Sequence, residues 1–249
     1  MLPEFTREEL AAGLDRVAEE VLGKAGLFGP PVDAFALADN LGIAVALDDR
    51  QAGRARYVRL SDRRSGPSRA AILLRSEPRW ERQQWAVAHE IGEHLAYRVF
   101  LKWGADPRET APNAREAVAN NMAGRLLLPT AWFAADGAKC DWDLLALKGR
   151  YRTASHELIA RRMLECRPPV IISIYDHRRI SFRRSNLPGR VPPPSTAEIN
   201  CWREVHRQNH PLRTSKDAGL VQGWPIHEEG WKREILRMEM DEYATDWSE

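Results

Sequence analysis

The stretch Trp85-Ala86-Val87-Ala88-His89-Glu90-Ile91-Gly92-Glu93-His94 decides how the rest of the chain is read. It sits in residues 81–100, a proline-free segment with apolar residues at helical spacing. Each residue of an α-helix turns the chain by about 100°, so His89 and Glu93 share a face and Glu90 lies one step round from His89. This is the layout of H-E-x-x-H, in which two ligands four apart hold Zn2+ and the Glu beside the first acts as general base. Here Glu93 stands at the second ligand position and a histidine follows one place later, at His94. His94 points about 140° away from His89, and it reaches the same site only through a π-bulge, for which Gly92 is the natural place. Glu93 needs no such distortion, since a carboxylate oxygen is an acceptable metal ligand. Taken alone, the same letters also describe solvated charges on a helix.

A second helical pattern follows over residues 116–128 and is stopped by Pro129. Glu116 and Asn120 share one face of it, while Val118, Met122 and Leu126 form an apolar one. Glu116 can equally be read as a carboxylate favoured by the positive end of the helix dipole.

Together the two helices resemble the ImmA/IrrE family of zinc-dependent metallo-endopeptidases. That family joins an A-H-E-[IL]-x-H helix to a second helix bearing Glu, then Asn four residues later, and ending L-[LM]-x-P. Ala88-His89-Glu90-Ile91-Gly92 matches the first pattern and Leu126-Leu127-Leu128-Pro129 anchors the second. The likeness spans roughly residues 30–165 and departs from the family at Glu93, where the pattern has His. It implies His89, Glu93 and Glu116 as metal ligands, with His94 as the alternative ligand. It also implies Glu90 as the catalytic base and Asn120 as a substrate-binding or supporting group. The implied cofactor is Zn2+, and the additional carboxylate moves the preference toward harder ions such as Mn2+. The implied activity is cleavage of a protein substrate, a helix-turn-helix transcriptional repressor in a stress or mobile-element response. The alternative is a catalytically inactive peptidase-fold regulator that binds a repressor or DNA through the basic 144–190 segment.

Working outward, residues 6–22 form an N-terminal helix capped at Thr6, and 32–40 a shorter one after the Gly/Pro breaker at 26–31. Residues 43–47, 54–60 and 70–74 read as strands, the last two separated by the turn-rich segment 61–68. Short helices at 142–147 and 153–164 form a helix-turn-helix-like pair. Residues 170–175 and 180–184 make a hairpin, and 187–194, with four prolines in eight residues, a linker. The remaining residues contain a helix-like stretch at 231–240. The expected fold is α+β: N-terminal helices and a small three-stranded sheet packed on a helical zincin-like core, followed by a β-hairpin and a C-terminal tail. The expected boundaries are 1–165 for the peptidase-like domain, 166–194 for hairpin and linker, and 195–249 for the tail.

Composition narrows the function classes. Lys+Arg is 37 against Asp+Glu 35 in 249 residues, a net charge of +2 that excludes a histone-like coat for nucleic acid. The charge is uneven, however. Residues 144–190 hold 11 basic and 3 acidic residues, and 226–249 hold 3 basic and 8 acidic. The basic segment is a solvated surface, a docking place for the acidic tail, or a surface for an acidic partner such as DNA. No run approaches the ~18 apolar residues of a membrane span, and the opening residues carry no secretory pattern, so a cytoplasmic protein is expected. Three widely spaced cysteines, Cys140, Cys166 and Cys201, fit buried reduced thiols. His156, His177, His206, His210 and His227 read as surface or packing histidines.

Overall fold

The computed structural model describes residues 6–60, 69–104, 111–216 and 219–240. The turn at 61–68, the opening residues 1–5 and the acidic end at 241–249 lie outside them. By its contacts the chain divides into two compact units, 1–133 with 150–155 and 134–149 with 156–249.

The first unit starts with α1 (Arg7–Lys24), capped by Thr6, whose side chain accepts from the Glu9 N–H while the Glu9 carboxylate accepts from the Thr6 N–H. Its inner face buries Leu14, Val17, Val21 and Leu22. Helix α2 (Ala34–Asn40) is capped by Asp33 and ends at Gly42, whose φ of +70° suits glycine. The buried Gln84 accepts from Ala34 N–H at 2.7 Å and donates to Asp33 Oδ1 at 2.8 Å, clamping the start of α2. Strands β1 (Ile43–Leu47), β2 (Ala55–Leu60) and β3 (Arg69–Leu74) form a sheet in the order β1-β3-β2. β1 runs parallel to β3 and β2 antiparallel to it, which leaves β2 at an edge.

Two helices complete this unit, α3 (Trp80–Lys102) and α4 (Pro112–Leu127). They cross where Gly92 faces Ala119. A Cβ at Gly92 would lie 2.6 Å from the Ala119 carbonyl oxygen, so the approach depends on glycine. Arg125 of α4 pairs with Asp15 of α1 at 2.9 Å, and Asp15 also accepts from the Thr130 hydroxyl at 2.6 Å.

Pro129 follows the end of α4 as expected, Leu128 being the C-cap. The chain turns and resumes as α5 (Thr130–Lys139), with Phe133 N–H donating to the Pro129 carbonyl, because a proline just ahead of a helix has no N–H to leave unpaired. Two short helices do follow, α6 (Leu144–Arg150) and α7 (His156–Met163), both starting later than the sequence pattern.

In the second unit, β4 (Val170–Asp176) and β5 (Arg179–Ser185) form the expected hairpin, but not as a separate element. Helix α8 (Thr196–Gln208), β6 (Leu212–Lys216), β7 (Gly219–Glu228) and β8 (Trp231–Glu239) follow. The five strands make one antiparallel sheet in the order β5-β4-β8-β7-β6. The 231–240 stretch is therefore a strand rather than a helix. Its buried residues are Glu234, Ile235, Leu236 and Arg237, and the two charged ones, whose partners include Trp202 and Gln222 elsewhere in the chain, disguised the two-residue period. The residues expected to form a tail fold back on the hairpin, by the main-chain ladder of β8 on β4 and by ion pairs such as Arg183–Glu198 and Arg233–Asp176.

Helix α8 packs on one sheet face with Cys201 and Val205 against Val221, Tyr175 and Leu236. Gly223 permits this approach, since a Cβ there would lie 2.9 Å from Val205 Cγ2 and 3.0 Å from Cys201 Sγ. α7 covers the opposite face, with Arg161 over the Phe182 ring at 4.2 Å and Glu157 on Arg233 at 2.6 Å. Several arginines of the basic segment are thus spent internally, including Arg162, paired with Glu165 at 2.5 Å, and Arg183, paired with Glu198 at 2.7 Å. The cysteines are free thiols, Cys166 and Cys201 buried and Cys140 partly exposed. Among the described residues no helix is long and apolar enough to cross a membrane.

Candidate functional site

The α3/α4 crossing brings His89 and Glu116 together. His89 Nε2 lies 3.6 Å from Glu116 Oε2, and His89 Nδ1 lies 3.2 Å from Asn120 Oδ1. Asn120 also donates from Nδ2 to Glu116 Oε1 at 3.0 Å. This geometry places one proton. With its NH2 group committed to Glu116, Asn120 turns its carbonyl oxygen to His89 and accepts from Nδ1–H. His89 Nε2 then faces the second carboxylate oxygen across a gap that a proton or a metal ion can bridge. Two ligands of one zinc ion stand roughly 3.3 Å apart, so His89 and Glu116 fit a metal, and Asn120 fits the group that fixes the tautomer.

Glu93 lies one turn beyond His89 and is paired at 3.5 Å with Arg115, at the start of α4. Among the described residues, His89, Glu93 and Glu116 do not form a set with every ligand atom within 4.8 Å of the others. Glu90 points toward the small sheet. It is 8% exposed, and its Oε2 accepts from the Tyr57 main-chain N–H at 2.6 Å. Burial raises its pKa above the ordinary carboxylate value, with Glu93 and Glu116 adding to the rise and the Tyr57 N–H and His89 opposing it.

His94 takes a different route from the one a bulge would allow. Helix α3 continues through Gly92 without interruption, and His94 Nδ1 meets the Tyr57 hydroxyl at 2.8 Å. Burial pushes its pKa down, and Arg59 and Arg98 push it further in the same direction. Tyr57 belongs to the edge strand β2. Its N–H points away from β3 and, by the alternation of antiparallel strands, so do the main-chain groups of Ala55 and Arg59.

One cluster escaped the sequence reading. Among the described residues, the group of three ligand-bearing side chains whose donor atoms all lie within 4.8 Å of one another is His206, His227 and Glu234. These residues come from a helix and two strands with no recognisable spacing. No sequence signal pairs them.

No protein-family model matches the chain, and no curated protein matches it by sequence. Among solved structures, the chain is similar to a Mycobacterium tuberculosis transcriptional regulator, at 18% identity and a TM-score of 0.61. The likeness covers 93% of this chain and 80% of that one. At that identity it establishes a shared fold, and the class is mixed α+β with two sheets of three and five strands.

Proposed function

We propose that the chain is a metal-dependent endopeptidase of the ImmA/IrrE type, acting on a protein substrate that the resemblance implies to be a helix-turn-helix repressor. The observation that carries this reading is the placement of His89 Nε2 and Glu116 Oε2, 3.6 Å apart with Asn120 contacting both residues, at a spacing two ligands of one ion can take. His89 and Glu116 would hold the ion, Zn2+ or Mn2+, with Glu93 as third ligand once freed from Arg115. Bound there, the metal supplies a Lewis acid that polarises a peptide carbonyl and acidifies water. Glu90, next to His89 and almost one full turn before Glu93, would take the proton of the attacking water and return it to the leaving amine. The outer edge of β2 supports the reading, because an extended peptide can align on the outward groups of Ala55 and Arg59, on either side of the Tyr57 N–H that Glu90 holds.

A second reading, a non-catalytic regulator built on the same fold, draws on a different observation. Arg115 already places a positive charge 3.5 Å from Glu93, in the position where a metal would otherwise neutralise it. The solved neighbour is also called a transcriptional regulator. Elemental analysis with cleavage assays on candidate repressors separates the two. The peptidase reading expects one metal equivalent to be lost in His89→Ala, and Glu90→Gln to keep that metal while losing cleavage. Metal content unchanged by His89→Ala, or cleavage surviving Glu90→Gln, would overturn it.

A further inference from the structure

We propose that His206, His227 and Glu234 form a second metal site, for a borderline divalent transition-metal ion of which Zn2+ is the type. The site lies within the five-stranded unit and does not depend on the α3/α4 reading.

The register of the sheet builds it. Pro225 stands opposite Glu234 and His227 opposite Lys232, so His227 and Glu234 are diagonal neighbours on one sheet face. Cys201 and Val205 seat α8 on that same face, and His206 follows in the last turn of the helix. Glu234 Oε1 lies 2.8 Å from His206 Nδ1 and 2.5 Å from His227 Nε2, hydrogen-bond distances that must open to about 3.3 Å when an ion takes the place of the N–H protons. Two imidazoles and a carboxylate converging from three elements are the donor set of a three-ligand zinc site, with one position left for water or a ligand. Both histidines are partly open to solvent, at 14% and 12% of their side-chain surface, so an ion can enter.

Charge points the same way. Glu234 has no accessible surface, and no Lys or Arg nitrogen among the described residues pairs with it. The arginines beside it in β8 are engaged elsewhere, Arg233 with Asp176 and Glu157, and Arg237 with Gln222 and Glu239. Among the described residues, three hydrogen-bond donors but no permanently charged group meet this buried carboxylate, and a divalent ion at Oε1 would supply that charge.

The surroundings orient the ligands as metal sites require. The Trp202 indole N–H donates to Glu234 Oε2 at 3.1 Å, leaving Oε1 for the ion. The Trp202 ring also stacks on His206 at 5.9 Å and on Tyr175 at 5.1 Å, fixing the imidazole plane. Arg178 Nε donates to His206 Nε2 at 3.2 Å, so the ring now carries its proton on Nδ1. Metal at Nδ1 moves that proton to Nε2, and the exposed Arg178 swings away. At His227 the proton moves from Nε2 to Nδ1. No proton is lost from either ring, and the ion ties α8 to β7 and β8.

The test uses the full chain carrying His89→Ala, which removes the α3/α4 site from the count. Equilibrium dialysis with Zn2+ and elemental analysis should give about one equivalent per chain. Adding His227→Gln should weaken it beyond the ~10–100-fold that loss of a supporting contact costs. Co2+ loaded into the His89→Ala chain should show the strong visible bands of a tetrahedral ion, a readout that does not depend on the His227→Gln variant folding. Equal zinc content in wild type and His89→Ala, with the binding dependent on His227, would sink the α3/α4 metal reading and leave this site standing. No zinc and no cobalt bands in the His89→Ala chain, or zinc indifferent to His227→Gln, would overturn it.

Discussion

Replacing one glycine with alanine should have opposite effects at two helical positions. In α3, Gly92→Ala places a methyl group 2.6 Å from the Ala119 carbonyl oxygen and 3.1 Å from its Cα. The obstacle is main chain, so no rotamer change relieves it and α3 and α4 must separate. Overpacking of this kind costs up to about 3 kcal/mol. The gain in helix propensity returns only about 1 kcal/mol. The net loss of about 2 kcal/mol, with a urea slope of about 2 kcal/mol/M, lowers the unfolding midpoint by about 1 M. In α1, a Cβ at Gly23 would meet nothing within 4 Å, and the position is not in the left-handed region. Gly23→Ala should therefore stabilise by about 0.4–1 kcal/mol, chiefly by restricting the unfolded chain. Urea titrations followed by circular dichroism at the helix band read both signs in one experiment. A midpoint unmoved or raised by Gly92→Ala would refute the close crossing, and with it the mechanism that brings His89 to Glu116.

Two further outcomes follow from the second unit. Arg183 makes a two-pronged pair with Glu198, at 2.7 and 3.1 Å, and also donates to Ser173, while Glu198 is 1% exposed. Arg183→Ala strands a buried carboxylate and should cost about 3–5 kcal/mol in thermal or urea unfolding, with Glu198→Gln in the same chain restoring part of it. No restoration would show that packing of the arginine stem matters more than the charge. Burial, aided by Glu198, pushes the Cys201 thiol up to about 11. A folded pKa above the unfolded one contributes stability that is intact below about pH 8.5 and lost as pH rises toward 11, up to ~2–3 kcal/mol. Urea midpoints between pH 8 and 10.5 should fall more steeply in wild type than in Cys201→Ala. Parallel slopes would remove the thiol from the account.

The sequence alone determined the first unit closely, because its signals are local. Thr6 and Glu9 make a reciprocal cap, Gly42 follows the end of a helix, and the strand patterns at 43–47, 54–60 and 70–74 appear as β1, β2 and β3. The helical spacing of His89, Glu93, Glu116 and Asn120 likewise identified which residues share a face. The tertiary structure decided what they touch: Glu116 and Asn120 meet His89, while Glu93 meets Arg115 and His94 meets Tyr57. Those choices depend on where two helices cross, and Gly92 and Ala119 set that point in three dimensions.

In the second unit the local signals misled. Glu234 and Arg237 are charged residues buried by partners distant in sequence, so β8 carried the pattern of a helix. The sheet that joins residues 170–185 to 212–239, and the meeting of His206, His227 and Glu234, rest on pairings between strands far apart along the chain. A spacing rule sees one helix or one strand at a time. Main-chain ladders between remote segments, and the burial of charge they make possible, exist only once the chain has folded.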